Sequence, residues 1–210
     1  KDGKIARILK RGEPLPTAAT SIDGTGKYVI PGLVDAHIHI DRPESLADYL
    51  RHGVTTVFSL GTRDEHRAEL NALLTAQKAG KVAGATIYAT GPSFGNHRRI
   101  ETVAEVQPFL DELQRDGLTF LKVYNAIPAD VFDALADGAH ARGMGVFGHI
   151  PRTFPAEQSL PKIDVVAHME EFFFALNHAT ARDWALGKLS PEWQTDTARA
   201  EALLEGLAPL

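Results

Sequence analysis

Cysteine is absent from all 210 residues, which excludes a disulfide framework and any thiolate metal site. A transition ion, if bound, must be held by histidine, carboxylate or a modified side chain. Basic residues are the minority, 22 Lys+Arg against 27 Asp+Glu for a formal net charge of −5, and they form no run. Nucleic acid is therefore not an expected partner. Long apolar runs are missing as well. The strongest, Phe172-Phe173-Phe174-Ala175-Leu176, falls far short of the ~18 residues needed to span a membrane. No signal-peptide pattern is present, and the opening "KDGKIARILKRG" reads as the middle of a domain. The expected compartment is cytoplasmic by default, with an export signal further upstream left open. What remains, 44% hydrophobic and 23% charged, is an ordinary globular composition, with length for one or two domains and a sizeable core.

Residues 1–30 read as short strands and turns: "GKIARIL", a Pro-rich "GEPLPTAAT", then "SIDGTGKYVI" with a Gly turn. So short a piece cannot bury a core alone and is expected to form part of a small β domain. From residue 31 the pattern changes. Apolar strands are expected in "GLVDAHIHI", "GVTTVFSLG" (53–61), "GATIYATGP" (84–92), "LTFLKVYNA" (118–126), "GMGVFGHI" (143–150) and "IDVVAHM" (163–169). Between them, 65–80, 103–117 and 128–143 carry apolar residues at helical spacing and end near Gly; 195–207 is a further helix. Alternation of buried strands and helices predicts an α/β fold with a parallel sheet under helices. A doubly wound sheet tolerates six strands, whereas a (β/α)8 barrel needs eight, so on that reading two units lie outside the chain.

The polar residues fall at the carboxyl ends of these strands. His37 and His39, in "PGLVDAHIHI", share one face of the first strand with Asp35 behind them, and two adjacent imidazoles on a buried face suggest a metal. Lys122 follows near the end of the fourth strand, His149 at the end of the fifth and His168 at the end of the sixth, each among apolar neighbours. A strand lysine otherwise belongs at an edge or reaches out to water. Buried, it is costly as an ammonium, and reaction with CO2 would convert it to a carbamate able to bridge two cations. The five together, on successive strand ends, predict a metal site. His52, His66, His97, His140 and His178 fall in helices or loops and read as surface or structural.

"DGKI", "SIDGTGKYVIPGLVDAHIHI", "FLKVYNA", "VFGHI" and "VVAHMEE" together resemble the amidohydrolase superfamily, particularly its prolidase-like and imidazolonepropionase-like branch. The resemblance covers nearly the whole chain. It implies a (β/α)8 TIM-type barrel, of which residues 31–210 hold strands one to six, beside a small β-sandwich to which residues 1–30 contribute. It further implies two divalent metal ions, zinc on ligand chemistry with manganese or iron also compatible. His37 and His39 would hold one, His149 and His168 the other, with carboxylated Lys122 bridging both. The family's eighth-strand aspartate, a proton shuttle, has no counterpart here. Asp35 and Asp41 are not convincing substitutes, so the chain is expected to be part of a longer one.

The implied activity is hydrolysis of an amide or peptide-like C–N bond, in a dipeptide or a cyclic amide, by metal-activated hydroxide. Lys122, His149, His168 and Tyr124 would take part. Tyr124, two residues after Lys122, would meet the oxyanion or substrate, or simply point its hydroxyl to water. Arg152 and "NHRR" (96–99) are candidate anchors for a substrate carboxylate or else solvated surface. Two rivals stand beside this reading. One is a deaminase of the same fold, disfavoured because Arg152 occupies the place of that class's Glu; the other is a non-catalytic scaffold. Glu170 and Glu171 read as supporting or lid residues. The expected partner is a small-molecule substrate, with a homo-oligomer left open and no nucleic acid or membrane.

Overall fold

The computed structural model describes residues 4–176 apart from 15, 18, 19, 41, 96 and 97. The helix expected over 195–207, together with Asp41, Asn96, His97 and His178, lies outside the described residues. The chain divides into two units between Pro31 and Gly32.

The first unit contains the expected turns but, among its described residues, no strand. Asp23 closes one turn by accepting the backbone N–H of Thr25 at 2.9 Å, and Lys27 N–H reaches Gly24 O at 2.9 Å. Its apolar side chains find no core: Ile5, Ile8, Ile22, Tyr28 and Val29 are each more than four-fifths exposed. A strand exists only through ladder partners, and the described residues of this segment offer each other none.

In the second unit, strands and helices alternate. The strands are β1 (Leu33–Ile38), β2 (Val54–Ser59), β3 (Thr86–Ala89), β4 (Phe120–Val123), β5 (Gly145–Gly148) and β6 (Val165–Val166). The helices are α1 (Ser45–Arg51), α2 (Arg67–Lys78), α3 (Val106–Arg115), α4 (Ala129–Ala141), α5 (Ala156–Ser159) and α6 (Glu170–Leu176). All strand pairs are parallel, in the orders β1-β2-β3 and β4-β5-β6. Beyond β3 the chain stitches the two sheets together. Phe94 N–H donates to Lys122 O at 2.8 Å, and Tyr124 N–H donates to Phe94 O at 2.7 Å. The six strands thus follow one another in chain order, as crossover helices require.

Strand alternation separates two environments. Ile38, Val57, Ile87, Leu121, Val123 and Val146 share a core with Leu70 and Leu73 of α2, Phe109 and Leu113 of α3, and Val131, Phe132 and Leu135 of α4. The helices present these residues at i, i+3 and i+4 spacing, which is why sequence periodicity found them. Phe58, Tyr88, Phe120 and Phe147 lie on the other strand face and cluster, with ring centroids from 4.8 to 6.3 Å apart. Gly145 makes room for this layer, since a Cβ there would stand 3.0 Å from the Phe120 ring. β1 and β6 are partnered on one side only among the described residues, so Leu33 and Val34 are about half exposed rather than buried as sequence suggested.

Gly148 ends β5 with φ 146°, and a Cβ built on it would meet Val123 O at 2.1 Å. That carbonyl accepts the His149 N–H at 3.0 Å, so the contact is structural. Gly148→Ala is expected to lower stability by on the order of 3 kcal/mol through overpacking against rigid backbone. The urea midpoint of the full-length protein measures it.

Candidate functional site

The carboxyl ends of the strands surround a cavity of about 540 Å³, and all five residues singled out by position line it: His37, His39, Lys122, His149 and His168. Residues 122 and 149 stand two places beyond Phe120 and Phe147, on the same strand faces, and so rise directly above the aromatic layer. The imidazoles converge although their strands are distant in sequence. Ring centroids are 5.2 Å apart for His37 and His39, 4.6 Å for His37 and His168, and 4.9 Å for His149 and His168. Tyr124 packs on His149 at 4.1 Å and also lines the cavity.

Local bonds set these positions. Asp35 accepts the His37 backbone N–H at 3.2 Å from behind the pair. Ser59 Oγ accepts the Ile40 N–H at 3.2 Å, and Leu60 N–H reaches Ile38 O at 2.9 Å, fixing the end of β1 to β2. Buried Thr90 accepts the Gly61 N–H at 2.7 Å and shapes the loop that follows β2.

Lys122 is 1% exposed, and its Nζ has no hydrogen-bond partner among the described residues. Burial, opposed only by the charge of Glu171, pushes its pKa down to about 8. His37 is pushed down to about 4, first by burial and then by the charges of Lys122, His168 and His39. His149 is likewise held low by burial, against the pull of Glu171. The rings of His37 and His149 are therefore neutral at pH 7, as ligand imidazoles must be.

His149 is the most constrained of the imidazoles. Its Nδ1 lies 2.8 Å from Asn125 Oδ1 and 3.0 Å from Glu171 Oε1. Both neighbours are acceptors, so Nδ1 carries the proton and Nε2 keeps its lone pair for the cavity. Glu171 is itself pinned by Arg152 at 2.7 Å, and Arg152 stacks 3.7 Å over the Phe174 ring. Burial raises the Glu171 pKa, but its bonds to His149 and Arg152 outweigh this and hold it below the usual carboxylate range.

Three sequence readings change. Arg152 does not anchor substrate: it is 5% exposed and bound to Glu171 behind His149. Arg98, of "NHRR", is engaged by Glu112 at 2.9 Å and by Asp64 at 3.5 Å, and it does not line the cavity. His66, read as surface or structural, does line it, together with Arg63, Thr62, Ser59 and Ser93. No periodicity marks these loop residues. Glu171 was legible only as a neighbour of His168.

The donor set fits metal in one specific way. Among the described residues, no three histidine or acidic side chains converge closely enough to hold an ion on their own. Two imidazole pairs flanking a buried amine without a partner would need that amine, converted to an anionic donor, to complete coordination.

Parallel strands in chain order, helices covering one strand face and a polar cavity at the carboxyl ends define a TIM-barrel-like protein. No family model matches the chain. It is 29% identical over 162 residues to an adenine deaminase of Lactiplantibacillus plantarum, covering 67% of this chain and 28% of that protein. It is 29% identical over 133 residues to an imidazolonepropionase of Klebsiella pneumoniae, covering 62% of this chain and 27% of the other. The solved structure of a bottromycin amidohydrolase superposes with a TM-score of 0.59 at 26% identity, over 75% of this chain and 37% of that one. The chain thus spans little more than a quarter of the two curated relatives. These similarities support the amidohydrolase superfamily for this chain. No helix among the described residues is long and apolar enough to cross a membrane.

Proposed function

We propose that the chain carries the metal centre of a hydrolase that cleaves an amide or peptide-like C–N bond in a small-molecule substrate. The observation that carries this reading is the buried Lys122 Nζ, without a hydrogen-bond partner among four converging imidazoles. In the complete protein the arc of strands would close as a (β/α)8 barrel beside a β-sandwich that takes in residues 1–30, in the prolidase-like manner. His37 and His39 would hold one divalent cation, zinc by preference, and His149 and His168 a second, with Lys122 as a carbamate between them.

Bound there, the cations would polarise a carbonyl and make hydroxide available at neutral pH. The chain's own residues supply the remainder. Asn125 and Glu171 hold the His149 ring with Nε2 toward the cavity. Tyr124, locked against that ring, offers its O–H to a substrate carbonyl or to the oxyanion that develops from it.

A deaminase is the second reading, favoured by the similarity to adenine deaminase. Against it, the place where deaminating members keep a Glu is filled by Arg152, which is buried and paired.

Metal analysis of the full-length protein is expected to give about two equivalents per chain. Chelation should abolish hydrolysis, and reactivation by zinc should quicken when bicarbonate is added, because carbamate formation consumes CO2. Full activity without metal would refute the proposal. Ammonia release from adenine, with no cleavage of N-acyl amino acids or dipeptides, would select the deaminase.

A further inference from the structure

The described lining of the cavity carries no acidic side chain. Five histidines, Lys122 and Arg63 face the cavity with the hydroxyls of Ser59, Thr62, Ser93 and Tyr124. In a chain of net charge −5 this is a local inversion. Asp35 and Glu171 stand behind the imidazoles and accept bonds from His37 N–H and His149 Nδ1.

Most of these nitrogens are committed under the reading above, but Arg63 is not. It sits on the loop between β2 and α2, just before the short 3-10 turn Asp64–His66. Its guanidinium lies 3.7 Å from Glu65 Oε1, beyond hydrogen-bond length, and both side chains are 64% exposed. Its neighbour Asp64 faces Arg98 instead. A permanently charged, planar fork at the mouth of a cavity without acid in its described lining matches a carboxylate in charge and geometry. Arg98 and Arg152, two of the arginines that sequence nominated, are each engaged by protein carboxylates.

We propose that Arg63, with His66 beside it, is a specificity-determining anchor for a carboxylate on the substrate. The site then selects N-acyl amino acids and short peptides with a free carboxylate over their neutral amides. The acyl part of this class rests on the hydrolase reading, whereas the preference for an anion rests on the charge of Arg63 and the lack of acid in the described lining.

The test is calorimetric binding of matched pairs, N-acetyl amino acids and their primary amides with apolar and polar side chains, to the full-length protein. Release of the amine is measured in parallel. The acids are expected to bind at least ten-fold more tightly than the amides. Raising KCl from 0.05 to 0.5 M should weaken only the acids. Arg63→Met should bring the pair within two-fold of each other, Arg63→Lys should retain part of the preference, and Glu65→Gln should preserve it. Circular dichroism confirms that each variant is folded. Equal binding of acids and amides, no binding of either, or a preference that survives the double variant Arg63→Met, His66→Gln overturns the anchor. Tight binding of acids without amine release upholds the anchor and sinks the hydrolase reading. Equal release from acids and amides does the reverse.

Discussion

Lys122→Met is expected to abolish metal binding and at the same time make the metal-stripped protein more stable. Lys122 is 1% exposed, and its Nζ has no hydrogen-bond partner among the described residues. Its pKa lies at about 8, below the ordinary 10.5. A lysine depressed in this way leaves stability whole above the unfolded value and erodes it as pH falls toward the folded one. At pH 7 nearly all of that cost is present, about 3 kcal/mol for a shift of this size. Methionine fills a similar volume and needs no counter-charge. The expected gain is ~2–3 kcal/mol in urea unfolding at pH 7, shrinking above pH 9, with metal content and hydrolysis both lost. Lys122→Ala should lose metal equally, but it opens a cavity that costs ~2–5 kcal/mol and so masks the gain. If the stripped Lys122→Met variant were no more stable than stripped wild type, the amine would have a counter-charge in solution. Under the proposed function this is stability given up at the metal site.

The buried, cavity-facing position of Lys122 was legible because strand alternation is strict. A lysine between Leu121 and Val123 on an interior strand must face away from the helix-packed core, and the same parity places His149 beyond Phe147. The helices α2, α3 and α4 were equally open, each marked by a repeating apolar stripe. Less was readable where geometry depends on partners. "GKIARIL" has the composition of a strand and no ladder among its described neighbours. "IDVVAHM" yields only the two-residue β6, because pairing with β5 stops at Val166. Loop residues were hardest to place. Nothing in "GTRDEH" distinguishes Arg63 and His66, which reach the cavity, from Asp64, which turns to Arg98. Nor does the composition of "GHIPR" show that Arg152 runs inward to meet a carboxylate from α6.

That inward pair leads to the second large effect, expected at Glu171. Glu171→Ala should destabilise the protein by ~3–5 kcal/mol, because it breaks a buried ion pair with Arg152, and should weaken metal binding 10–100-fold, because it loosens the His149 ring. Glu171→Gln keeps an acceptor for the Nδ1 proton and should lie between Ala and wild type in both measurements. The two roles separate in the double variant Arg152→Met, Glu171→Leu. Removing both charges together takes the whole ion pair out of the core, so stability should return close to that of wild type. Among the described residues His149 then keeps Asn125, at 2.8 Å, as its Nδ1 acceptor, and metal affinity should stay low. Restoration of both would make Glu171 a structural counter-ion and nothing more. Since Glu171 is held below the usual carboxylate range, its contribution should be whole at neutral pH and be lost only as acid protonates it. The stability difference between wild type and the double variant should therefore change as pH falls below about 4.5.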